Sequence, residues 1–184
     1  ISFGHFYEIC REHEFESIVY PSLKKLYSEK IIPKWHDSYI RVKEKTTFMI
    51  DILEETATRL YNEGIRIVAL KNSGICVAYM EDNAKCPMGD IDILVRRKDF
   101  LRAHEILTEM GFTFKFRSEY EYEDLHQAFI DGGAEYYYRD NSSGNDMWFE
   151  MSWRPIAGRW IRIDKEPDAN ILINESKIIK GSKI

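Results

Sequence analysis

The sequence predicts an α+β protein: a mixed β-sheet flanked by helices, preceded by a helical N-terminal segment. Three observations predict it. From Ile65 to Gly111, short apolar runs of strand length alternate with stretches whose apolar residues recur every three to four positions, in the order strand, helix, strand, helix. After Gly111 the pattern changes to short aromatic strands separated by turn residues. Before Asp37 the apolar spacing is helical. The division is therefore expected between a helical segment, residues 1–36, and a mixed core, residues 37–184.

Taking the elements in order, Phe6, Ile9, Phe15, Ile18, Leu23 and Leu26 are spaced as in helices, which Pro21 is expected to break and Pro33 to stop. A helix is predicted from about Asp37 to Asn62, where Met49, Leu53, Ala57 and Leu60 form one apolar stripe and Gly64 supplies the stop. IRIVALK, Ile65 to Lys71, reads as a short buried strand, and NSGICVAYM as a turn entering a helix with Ser73 as its N-cap. After the polar loop EDNAKCPMG, a strand is predicted from Asp90 to Arg96. Asp99 then caps a helix that buries Phe100, Ala103, Leu107 and Met110 and ends at Gly111. FTFKF is a strand candidate and EYEDLHQAF a short helix. AEYYYRD and MWFEMSW read as a hairpin around the turn-rich NSSGND.

The chain has 184 residues, 44% hydrophobic and 14% aromatic, enough for a sizeable core. Its net charge of -5 disfavours a duplex nucleic acid as partner. Cys10, Cys76 and Cys86 are odd in number and widely spaced, as expected of reduced thiols in a cytoplasmic protein rather than of a disulfide framework or zinc site. No apolar run is long enough to span a membrane, and no signal peptide opens the chain. A start at Ile1 and an end on SKIIKGSKI suggest a fragment.

The chemistry gathers in GDIDILV. Side chains on a strand alternate faces, so Ile91, Ile93 and Val95 point to the core while Asp90 and Asp92 share the other face. Two like charges held about 7 Å apart repel unless a cation lies between them. In MWFEMSW, Met147, Phe149, Met151 and Trp153 share one face, and Glu150 sits on the other with Trp148 and Ser152. If the two strands adjoin, three carboxylates converge. Such hard oxygen ligands suit Mg²⁺ or Mn²⁺, and two such ions about 3.5–4 Å apart can clamp the attacking and leaving oxygens of a phosphoryl or nucleotidyl transfer. Arg154, just past this strand, reads equally as a substrate contact or a surface ion pair, and Tyr136, Tyr137 and Tyr138 read as strand packing.

ALKNSG, GDIDILV, EMGF and WFEMSWRP, in that order over about Glu63 to Arg154, resemble the nucleotidyltransferase superfamily that includes DNA polymerase β, and within it the small bacterial group of uncharacterised nucleotidyltransferases. The resemblance implies a nucleotidyltransferase core that moves a nucleoside monophosphate from an NTP to an acceptor: a small molecule, a protein or a tRNA. It implies Asp90, Asp92 and Glu150 as catalytic metal ligands. It also implies that Lys71, Asn72, Ser73 and Gly74 meet the nucleotide phosphates at a helix N-terminus. Three positions depart from the group's pattern: Asn72 stands for a Gly, Cys86 for an Arg and Ser152 for a His. They keep open an alternative, a nucleotide-binding or regulatory module of the same fold without turnover.

Overall fold

Pro33 opens a helix instead of closing one. In the computed structural model, which describes residues 2–27, 33–119, 123–156, 163–179 and 181–184, α3 runs from Pro33 to Asn62. Proline at a first helical position loses no hydrogen bond, since that N–H has no partner within the helix. Ahead of it lie α1, Phe3–Glu12, and α2, Glu16–Tyr27. Pro21 does not break them either: it lies inside α2, and the chain turns at Glu14, whose φ is +58°. Packing accounts for this. Tyr7 and Tyr20 close on the fully buried Trp35 from α1 and α2, and each such aromatic contributes more than one lost backbone bond costs.

Beyond α3 come β1, Val68–Ala69; α4, Lys71–Tyr79; β2, Asp90–Leu94; α5, Phe100–Glu109; β3, Thr113–Phe114; α6, Leu125–Asp131; β4, Gly133–Arg139; β5, Asp146–Ser152; and α7, Ala169–Glu175. The described residues thus form an α+β fold with a five-stranded mixed sheet of order β1-β2-β5-β4-β3. β2 and β5 run parallel and the other neighbours antiparallel. β1 is much shorter than the run IRIVALK suggested, yet Ile65 and Ile67 are buried in the core as loop residues. β3 likewise keeps only two residues of FTFKF. The first two residues of EYEDLHQAF lie outside the described residues, and α6 starts after its cap, Asp124.

The predicted stripe holds. Met49, Leu53, Ala57 and Leu60 of α3 pack with Ile91, Ile93, Phe149 and Met151 of the sheet and with Phe100, Ala103, Ile106 and Leu107 of α5. Each fully buried large side chain there is worth about 1.5–3 kcal/mol. Gly64 and Gly111 end α3 and α5 with φ of +79° and +93°, a conformation that costs a residue with a Cβ. α3 therefore does two jobs: its first turns hold the Trp35 cluster and the rest backs the sheet.

One titratable side chain links α5 to the sheet. His104 Nδ1 lies 2.9 Å from the Tyr136 hydroxyl, and burial lowers its pKa, with Glu105 partly opposing. In the unfolded chain the imidazole protonates near pH 6.5, before the folded one does, so acidification stabilises the unfolded state. Wild-type protein should lose more melting temperature between pH 7 and pH 5 than His104→Gln does. Parallel curves for the two proteins would contradict this.

Candidate active site

The register of the sheet makes the site. In the parallel ladder Asp92 of β2 faces Glu150 of β5, and Asp90 faces Trp148. Across the antiparallel ladder Glu150 faces Glu135 of β4, and Trp148 faces Tyr137. Neighbouring strands are about 4.8 Å apart. Four carboxylates from three strands therefore share the face opposite Ile91, Ile93, Phe149 and Met151. Glu135 was not anticipated. In AEYYYRD its parity was legible, but its pairing with Glu150 follows from a register no sequence pattern states.

The start of α4 is stitched to the same strand. Leu70 N–H donates to Asp92 O at 2.9 Å. The Ser73 hydroxyl donates to Leu70 O at 2.6 Å and accepts from Asp92 N–H at 3.2 Å. Ser73 is thus not the N-cap: Leu70 holds that position, and Ser73 lies fully buried in the first turn. Asn72 reaches Pro87 O at 3.4 Å through its amide, and its carbonyl accepts from the Cys86 thiol at 3.6 Å. At Gly74 the helix comes so close to β1 that a Cβ would lie 2.6 Å from Ala69 O. Of the four residues expected at the phosphates, Lys71 and Ser73 contact Asp92, whereas Asn72 turns to Pro87 and Cys86 and Gly74 abuts Ala69. Lys71 itself has φ of +50°, a strained conformation for a residue with a side chain, and strain of this kind gathers at functional sites.

Two cations enter from the rim. Lys71 Nζ lies 2.5 Å from Asp92 Oδ1 and 3.7 Å from Glu150 Oε2. Arg117, between β3 and α6, places Nη1 2.6 Å from Asp90 Oδ2, and Nη2 3.3 Å from Glu135 Oε1 and 3.9 Å from Glu150 Oε2. These pairs do not seal the site. Asp92 is only 5% exposed, but the Lys71 side chain is 64% exposed and can turn into water, and the Arg117 side chain, 38% exposed, is tied to Glu135 and Trp148 and not to Asp90 alone. The Arg117–Asp90 pair, partly exposed on both sides, is worth at most about 1 kcal/mol.

Burial pushes the Glu150 carboxyl up to about 7, with Asp92 and Glu135 adding to the effect and Lys71 opposing it. Burial works against the Lys71 ammonium too, but Asp92, Glu150 and Asp90 outweigh it and raise its pKa. The cluster therefore calls for positive charge. Among the described residues no three acidic, histidine or cysteine side chains are already gathered around one ion position. The donor set nonetheless fits a hard divalent cation: Asp90 and Asp92 project to one face, Glu150 stands opposite Asp92, and Lys71 and Arg117 offset part of their negative charge.

Arg154 takes the structural course. It bonds Glu166 at 2.8 Å and Asp131 O at 3.0 Å, tying the end of β5 to the segment after it and to α6. The three cysteines are free and buried. Among the described residues no helix is long and apolar enough to cross a membrane.

No curated protein and no solved structure matches the chain significantly. A family model described as an uncharacterised nucleotidyltransferase, however, matches residues 1–181, nearly the whole chain and not only the stretch that holds the acids. With that match and the carboxylate-bearing sheet together, the chain belongs to the uncharacterised nucleotidyltransferase family.

Proposed function

We propose that the protein transfers a nucleoside monophosphate from an NTP to an acceptor in a reaction dependent on Mg²⁺ or Mn²⁺. The observation that carries this reading is the facing of Asp92 and Glu150 across the β2–β5 ladder, with Asp90 one step along the same face and the N-terminus of α4 beside them. Asp90, Asp92 and Glu150 would hold the divalent ions, which when bound would offset the triphosphate charge and activate the acceptor oxygen. That oxygen attacks the α-phosphorus, the bond to the bridging oxygen breaks, and pyrophosphate leaves. Glu150 also takes up the proton lost by the acceptor.

The phosphates lie at the start of α4, where first-turn N–H groups have no acceptor within the helix. Backbone N–H groups from Lys71 to Ser73 serve there rather than the Ser73 hydroxyl, which is already engaged by Leu70 and Asp92. Gly74 lets that helix end lie close to the sheet. The Lys71 ammonium leaves Asp92 for a phosphate oxygen. The free thiols support a cytoplasmic setting.

A second reading is favoured by one observation, the neutralisation of the acids by Lys71 and Arg117: a module that binds nucleotide without turning it over. Calorimetric titration of the four NTPs with and without Mg²⁺, paired with a pyrophosphate-release assay against pooled small-molecule, protein and tRNA acceptors, separates the two. Metal-dependent binding with release is the expected result. Binding without release supports the module, and no binding of any NTP removes both.

A further inference from the structure

Arg117 carries more of this site's charge than any motif in the sequence announced. Its backbone N–H donates to Glu135 Oε2 at 2.7 Å, its Nε to the same oxygen at 3.3 Å, and its Nη2 to Glu135 Oε1 at 3.3 Å. Its guanidinium also lies over the Trp148 ring, 5.6 Å from the centroid. Nη1 reaches away from this anchor to Asp90 at 2.6 Å, while Nη2, bonded to Glu135, also comes within 3.9 Å of Glu150 Oε2. One residue is thus pinned on one side by Glu135 and Trp148, with Nη1, which has no bond to that anchor, the donor placed to change partner.

We propose that Arg117 is a triphosphate-binding residue held in reserve: anchored to Glu135, it lends Nη1 to Asp90 while the site has no nucleotide and passes it to a phosphate oxygen when a metal-bound NTP docks. This rests on the nucleotidyltransferase reading. The exchange follows from charge. Arginine stays protonated, so Nη1 cannot lose its need for an anion. An Asp90 that ligates a cation becomes a poorer partner for a second positive group, and a phosphate oxygen matches the guanidinium as well as a carboxylate does. The swap needs no movement of the Glu135 anchor, and it takes place at a half-exposed rim where a lost pair costs little. Glu135, two strands from Asp92, is on this account a positioning residue and not a metal ligand.

The consequence is a reversal of sign. Arg117 competes with a bare divalent ion for Asp90 but assists an ion that arrives with a triphosphate. Mn²⁺ binding, followed by electron paramagnetic resonance, should be measured for the wild type, Arg117→Met and Arg117→Lys. It should be measured with Mn²⁺ alone and with the α,β-methylene analogues of the four NTPs. Arg117→Met is expected to bind Mn²⁺ alone about two- to fivefold more tightly, within the roughly 1 kcal/mol that the partly exposed pair with Asp90 can be worth, and the best Mn²⁺–analogue complex about tenfold or more less tightly. Arg117→Lys should recover part of the second loss. A folding defect would lower both affinities together, and that result, like no change in either, overturns the inference. Wild-type protein that takes up no Mn²⁺ with or without any analogue overturns the nucleotidyltransferase reading and this inference together. Wild-type binding with an unchanged analogue affinity in Arg117→Met overturns this inference alone.

Discussion

Asp92→Asn will abolish nucleotidyl transfer, by on the order of 10³-fold or more, and leave a folded protein that is at least as stable as the wild type in EDTA at pH 8. The two halves of this result have one cause. Asp92 sits nearly buried between Lys71 and Glu150, in a cluster whose negative charge, on the proposed function, is there to receive divalent cations and a nucleotide. Asparagine keeps the shape and the backbone bonds to Leu70 and Ser73 but no longer supplies an anionic ligand. Lys71, largely exposed, returns to water at small cost.

The stability half also has a pH signature. Glu150 titrates near 7 in the folded protein, above the 4.5 usual for a glutamate. Its ionisation therefore disfavours the fold. That penalty is absent below pH 4.5, grows as pH rises to 7, and is constant above. Burial is its largest cause and survives the substitution; the share due to Asp92 does not. In EDTA, the melting temperature of Asp92→Asn relative to wild type should accordingly rise from pH 5 to pH 8. A variant that melts well below wild type at pH 8 would mean that Asp92 is a structural ion-pair residue and not a stored ligand.

How much of this was legible in the sequence depends on whether the cause was local. The α3 stripe, the stops at Gly64 and Gly111, and the DxD alternation of β2 are set by neighbours three, four or two residues away, and each appears where the spacing put it. The Glu150 face follows from the same alternation. Pro21 and Pro33 show the limit of local reasoning: the same residue breaks, opens or rides inside a helix according to what packs on that helix, and the Trp35 cluster brings residues about thirty positions apart. Glu135 and Arg117 were missed for a like reason. Arg117 lies in a loop, and nothing in FKFRSEY shows that β3 will pair at the far edge of the sheet and carry it over Trp148. Ser73 looked like a cap because a serine before an apolar run usually is one. Its use as a rivet between α4 and β2 depends on strand β2, nearly twenty residues later.

Gly74→Val should destabilise the fold and weaken the site together, and Gly74→Ala should already destabilise. In an ordinary helix, replacing glycine with alanine gains up to about 1 kcal/mol. Here the added Cβ would lie 2.6 Å from Ala69 O and 3.2 Å from Ala69 C, and both obstacles are backbone. No side chain can swing away, so α4 must back off β1 at the expected cost of overpacking, about 1–3 kcal/mol. For a chain of this size that is a loss of roughly 3–10 °C in melting temperature, larger for valine, whose second methyl pushes further. The displacement does not stop at packing. Lys71 and Ser73 ride on the same turn, and Ser73 grips the backbone of Asp92, so a helix that backs away takes with it the turn proposed to hold the phosphates and shifts the central acid. Nucleotide affinity should therefore fall even at temperatures where the variant is fully folded. Gly89→Ala provides the control. It precedes Asp90 directly, yet its Cβ would meet nothing within 4 Å, so neither stability nor nucleotide binding should change much. If Gly74→Ala melts above the wild type, α4 does not press on β1, and the helix end that is meant to hold the phosphates is not fixed against Asp92.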